Sequence, residues 1–250
     1  MTTNKNTPIV KDLSTKRAPM SSLRKTSILA GVLYLLTFVS IPTVALYNSI
    51  HLPGYITGSA SDNPVIIGGI LEIIVALAGI GTALVLYPVL RKQNESAALG
   101  LVAARILESG TIFVGVAFLL SIVTLHQAGA GADALATSHA LVALYDRIFT
   151  LGQSFMPAIC DLLLGFLLYK SRLVPRALAM IGMLGALPLV AGYVAMLFGL
   201  IERNSPMAGL SAVLVALFEF SLGIWLIVKG FNSTTKTQNP RNEIIQFGRD

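Results

Sequence analysis

The run VIIGGILEIIVALAGIGTALVLYPVL, Val65 to Leu90, carries a single charged side chain, Glu72. A helix of that length rises about 39 Å at 1.5 Å per residue, enough to cross a hydrocarbon core of about 30 Å. Backbone groups in lipid find no water, so the run must satisfy its own hydrogen bonds as a helix. The period-2 alternation of a barrel strand is absent from it.

Comparable runs recur outward in both directions: Thr26 to Ile50, Leu99 to Leu125, Ala177 to Leu200 and Met207 to Val228. Another ends at Tyr169 and enters lipid somewhere between Ser138 and Ile148, because Asp146 and Arg147 interrupt its apolar pattern. The sequence therefore predicts an all-α polytopic transmembrane bundle of about six spans. It predicts a membrane domain over 26–229 between a disordered polar tail, 1–25, and a second polar tail, 230–250. Composition agrees, with 54% hydrophobic and 12% charged residues against roughly 25% charged in soluble domains. The first run is too long for a signal-peptide core, so a retained anchor is expected despite a weak cleavage site at Thr43-Val44-Ala45.

Of the 18 Lys and Arg residues, 15 fall in the N-terminal tail, the connections after the second and fourth spans, and the C-terminal tail. The opposite connections hold only Arg203, and Arg105 and Arg147 lie within or beside spans. Basic residues are retained on the cytoplasmic side, so both termini are expected there. The net charge of +6 then reflects topology, with lipid as the partner and no nucleic acid. Oligomeric state is not legible.

The single cysteine, Cys160, excludes an internal disulfide and any Cys-based metal cluster, and its apolar surroundings predict a small core residue. His51, His126 and His139 fall in different loops at the outer edge and match no compact ligand motif, so no metal is expected. No cofactor is expected either, and an enzyme is less expected than a non-catalytic protein, since the chain has neither a Gly-rich phosphate loop nor a nucleophile elbow.

Several strings together look like a known family. They are Leu71-Glu72, then Tyr87-Pro88-Val89-Leu90-Arg91 with Glu95, Gly100, Arg105 and Leu107-Glu108. Later come the stretch Leu168 to Arg176 and the stretch Glu219 to Gly230. In this order, over about Leu23 to Phe231, the chain resembles the bacterial membrane-protein family catalogued as domain of unknown function 4386. The resemblance implies a multi-span bacterial membrane protein and no assigned activity.

Charges inside the membrane are costly, about 2.5 to 3.5 kcal/mol each at mid-bilayer, and usually face the bundle interior beside a partner. Arg105 and Glu108 are three residues apart and share a helical face. Counting from the basic flanks puts Glu108, Asp161 and Glu219 at roughly 12 to 14 Å depth and Arg105 at about 9 Å. These four form one candidate pocket for a small ligand, proton or cation. Glu72 and Arg147, at similar depths from the other side, form a candidate outer ion pair. The same residues also fit interhelical bonding in a non-catalytic scaffold or regulatory subunit, and an intramembrane hydrolase is the remaining alternative. Pro42, Pro88, Pro157 and Pro188 are expected to kink spans, and Tyr34, Tyr47, Tyr87, Tyr169 and Trp225 to form an interfacial aromatic belt.

Overall fold

A computed structural model describes residues 21–52 and 54–232. Most of the two expected tails, residues 1–20 and 233–250, lies outside the described residues. Among those described, six helical segments are long and apolar enough to cross a membrane, and no strand is present.

The first span is broken ahead of Pro42, a larger interruption than the kink expected there. Helix α1 (Ser22–Leu36) gives way to a 3-10 turn at Thr37–Ser40, followed by the short α2 (Thr43–Leu46). Pro42 has no N–H for the ladder. The Thr37, Ser40 and Thr43 hydroxyls donate to the carbonyls of Tyr34, Thr37 and Ser40 at 2.7, 3.3 and 2.6 Å. Such local bonds compete with regular helix and satisfy carbonyls where the ladder fails. The helix also begins within the expected tail, because Ser21 caps it by accepting from the Arg24 amide at 3.3 Å.

The second and third spans are α3 (Asn63–Leu90) and α4 (Glu95–Gln127), the latter capped by Asn94. The fourth comprises α5 (Leu135–Phe149), a π-helical turn at Thr150–Phe155 and α6 (Met156–Ser171). Asp146 and Arg147 lie inside α5 and do not interrupt it. Pro157 sits in the first turn of α6, directly after the π turn, so the irregular turn absorbs the bond that proline cannot make. Helices α7 (Arg176–Leu197) and α8 (Pro206–Val228) complete the bundle.

The helices close into a ring. Helix α1 packs on α3 and α8, α3 on α4, α4 on α5 and α6, α6 on α7, and α7 on α8. Polarity is inverted relative to a soluble protein: Leu77, Leu107 and Leu210 are more than half exposed, at 58%, 58% and 65%, whereas Glu72, Arg105 and Asp161 are buried. That pattern matches a lipid solvent outside and polar groups within.

Closure of the ring depends on α1 meeting α8. A Cβ at Gly31 would lie 2.6 Å from the Gly223 carbonyl oxygen, so the two backbones touch directly. Small residues permit such close approach, and dispersion then replaces the hydrophobic drive that lipid does not supply. Arg24 donates to the carbonyls of Leu226 at 3.2 Å and Ile227 at 2.5 Å, and Ser27 to Leu226 at 2.6 Å. These donors satisfy the carbonyls at the end of α8. The end of the bundle holding Arg24, Arg91, Arg172 and Lys229 is termed the basic end below, and the other the far end.

Candidate functional site

Arg105 lies at the centre of the ring, buried on α4. Its Nη1 donates to Glu108 Oε2 at 3.0 Å and Oε1 at 3.3 Å, one helical turn away. Its Nη2 donates to Glu219 Oε1 of α8 at 2.6 Å and lies 3.8 Å from Asp161 Oδ1 of α6. That last contact is an ion pair too long for a hydrogen bond, and neither Asp161 oxygen has a hydrogen-bond partner although the residue is 0% exposed. Tyr34 of α1 places its ring 5.8 Å from the guanidinium carbon. The structure thus brings the three acids of the expected inner pocket onto the guanidinium of the fourth residue, Arg105.

The cluster borders a cavity of about 210 Å³. Arg105, Glu108 and Glu219 line it together with Phe38 from the break in the first span, Gln153 from the π turn and Ala212 of α8. Asp161 is sealed behind Arg105 and does not line it. Cys160, expected as a plain core residue, is fully buried and also donates from Sγ to Glu108 Oε2 at 3.3 Å. The carboxylate between Arg105 and Cys160 is therefore held from two sides, which fixes its direction relative to the cavity.

The expected pair of Glu72 and Arg147 does not form. Tyr145 donates to Glu72 Oε1 at 3.1 Å and Gln153 at 3.4 Å, and Glu72 Oε2 has no partner. Residues two apart on a helix are separated by about 200°. Tyr145 faces inward, so Arg147 faces outward and is exposed. Gln153 reaches from the central cavity to Glu72, and joins the two polar regions.

Histidines expected in loops stand elsewhere at the far end. His126 is in the last turn of α4, His139 on α5 and His51 in a 3-10 turn after α2. Asp146 of α5 meets both His51, at 3.1 Å, and Arg203, at 3.1 Å, the latter without hydrogen-bond alignment. Among the described residues no group of His, Cys, Asp and Glu is arranged to hold a metal. The aromatic belt is only partial, since Tyr34 and Tyr47 are buried within the bundle, at 1% and 3% exposure.

A family model described as a domain of unknown function, DUF4386, matches residues 29–230. The chain belongs to that family. The DUF4386 match runs from within α1 to the residues just past α8, so it contains every residue of the central cluster and all of the ring but the first turns of α1. No curated protein and no solved structure matches the chain. The DUF4386 chain is an integral, multi-pass membrane protein, and its chemistry must be read from the cluster itself.

Tyr34, expected in the aromatic belt, instead stacks beside Arg105, and neither Gln153 nor the Cys160 contact was foreseen, because the interior cluster was drawn from charged groups alone. A count of all polar groups in the apolar runs finds Gln153, an amide within the fourth span.

Proposed function

We propose that this membrane protein admits a proton, a cation or a small positively charged ligand to the cavity at its centre, with Glu108 and Glu219 as the acids that meet it. One observation carries the reading: three carboxyl groups surround one guanidinium, and two of those acids line a cavity. One arginine neutralises one carboxylate. Two further negative charges in a low-dielectric interior require two positive charges, which protons or a bound cation supply. Arg105 acts as the positioning residue that draws acids from α4, α6 and α8 to one place.

The break at Thr37–Pro42 supports the same reading, since transporters commonly build midplane sites where a span is interrupted. The scaffold reading draws on the ion pairs themselves, because Arg105 ties three helices together. The two separate on Glu108→Gln. In liposomes tested in turn with a proton gradient, sodium, potassium and methylammonium, wild type is expected to carry or bind one of these. The Glu108→Gln protein, still folded, is expected to lose at least tenfold of that activity. Equal activity of wild type and variant for every ion that moves would sink the reading in favour of the scaffold.

We further propose that the protein resides in a bacterial cytoplasmic membrane with the basic end cytoplasmic. Fusion reporters at the N- and C-termini are both expected to report from the cytoplasm. A periplasmic signal from either end would overturn this orientation.

A further inference from the structure

The far end carries two histidines with one geometry in common. His51 Nδ1 lies 2.9 Å from the Tyr47 carbonyl oxygen and its Nε2 3.1 Å from Asp146 Oδ1. His126 Nε2 lies 3.1 Å from the Gly58 carbonyl oxygen and its Nδ1 2.7 Å from Asp62 Oδ1. A neutral imidazole has one N–H only, and a carbonyl oxygen accepts but never donates. Two acceptors on one ring therefore require the imidazolium in each case, provided the carboxylate is ionised. Asp62 also accepts from the Tyr55 hydroxyl at 2.6 Å. Asp146 faces Arg203 as well, so it is held next to a permanent cation.

Each ring joins elements distant in sequence. His51 ties the turn Ser49–His51 to α5, and His126 ties the loop 54–62 to the end of α4. The turn follows the break in the first span, whose Phe38 walls the central cavity. We propose that protonation of His51 and His126 fastens the far end of the bundle, and that their deprotonation releases the turn and the loop from α5 and α4.

The charges facing the rings agree with this direction. At His51 these are Asp146 and, opposing it, Arg203; His139 lines the adjacent cavity of about 210 Å³. At His126 they are Asp62 and the Tyr55 ring and hydroxyl, with ring centroids 5.0 Å apart. The hydrogen bond to Asp146 lifts the His51 imidazole above its ordinary value of 6.5, with burial pulling the other way. Burial would raise Asp62, but hydrogen bonds from Tyr55 and His126 outweigh it and hold the carboxyl below its ordinary value of 3.8. A raised imidazole contributes stability that is complete below pH about 6.5 and lost as pH climbs through its folded value. A lowered carboxyl contributes stability above its unfolded value and loses it as pH falls through the folded value. The fastened state therefore occupies the mildly acidic range and opens on the alkaline side.

Distances between spin labels test this without any ligand. Cys160 is the only cysteine and is fully buried, so introduced cysteines at exposed positions take the label. One pair, Ser59→Cys with Ser96→Cys, reports the loop held by His126; Leu52→Cys with Ser96→Cys reports the turn held by His51. In bilayer nanodiscs both pairs are expected to give one narrow distance at pH 5.5 and a broad distribution at pH 8.5. His51→Gln and His126→Gln, which keep an N–H donor on a single nitrogen but carry no charge, are expected to give the broad distribution at both pH values. Should either variant fail to fold, the wild-type comparison alone decides. Distances in wild type that are the same at both pH values would overturn the proposal, as would Gln variants that keep the narrow distance.

Discussion

Replacing Arg105 by methionine is expected to destabilise the bundle by about 3 to 5 kcal/mol, the usual cost of stranding a buried charge by deleting its partner. Methionine keeps much of the side-chain length, so the loss is electrostatic and not chiefly one of packing. Glu108, Asp161 and Glu219 then face one another with no cation between them. Neutralising the partners in the same chain, as Arg105→Met with Glu108→Gln and Glu219→Gln, is expected to restore most of the loss. Thermal unfolding in detergent, followed by the monodisperse fraction, measures both. A single variant as stable as wild type would show that Arg105 does not hold the ring together.

Gly223→Leu is expected to cost about 3 kcal/mol, at the upper end of overpacking penalties, because the new side chain meets both the Leu35 side chain and the Gly31 backbone. A Cβ at Gly223 would lie 2.9 Å from Leu35 Cδ2 and 3.2 Å from the Gly31 carbonyl oxygen. The Cβ position is set by the backbone and not by a rotamer, so its contact with the Gly31 oxygen is relieved only by moving α1 away from α8. Gly209→Leu on the same helix is the control. Nothing lies within 4 Å of its Cβ position, and the change should be neutral or mildly stabilising, since glycine costs a helix about 1 kcal/mol relative to alanine. Equal unfolding temperatures for the two variants would count against the α1–α8 closure.

The spans and the inner cluster were legible for the same reason. Lipid demands long apolar helices with few charges, so each charge that remains can be placed in depth by counting from a basic flank. Arg105 and Glu108 needed only helical spacing, and Asp161 and Glu219 only that count. What the count lacks is rotation about each helix axis. It placed Arg147 at the depth of Glu72 without showing that Arg147 points outward, while Tyr145, two residues earlier, faces inward and takes the bond. The break in the first span was hidden because Thr37, Ser40 and Thr43 satisfy carbonyls within the same segment. Its apolar pattern continues while its ladder stops. The far-end clasps were illegible for another reason: His51 and Asp146 are 95 positions apart and meet only in the folded bundle, and nothing local to either residue marks the pairing.

Infrared difference spectroscopy of carboxyl groups, on protein in lipid bilayers, tests most directly whether the central acids serve the cavity or only bind helices together. Bands are assigned by their disappearance in Glu108→Gln and Glu219→Gln. If these acids exchange protons or cations through the cavity, their bands shift when pH or the cation in the medium is changed. Asp161, sealed behind Arg105, should respond only indirectly, through the change in its neighbours. Carboxyl bands of Glu108 and Glu219 that stay fixed under every change of pH and cation would contradict a cavity function and leave the cluster as interhelical bonding alone.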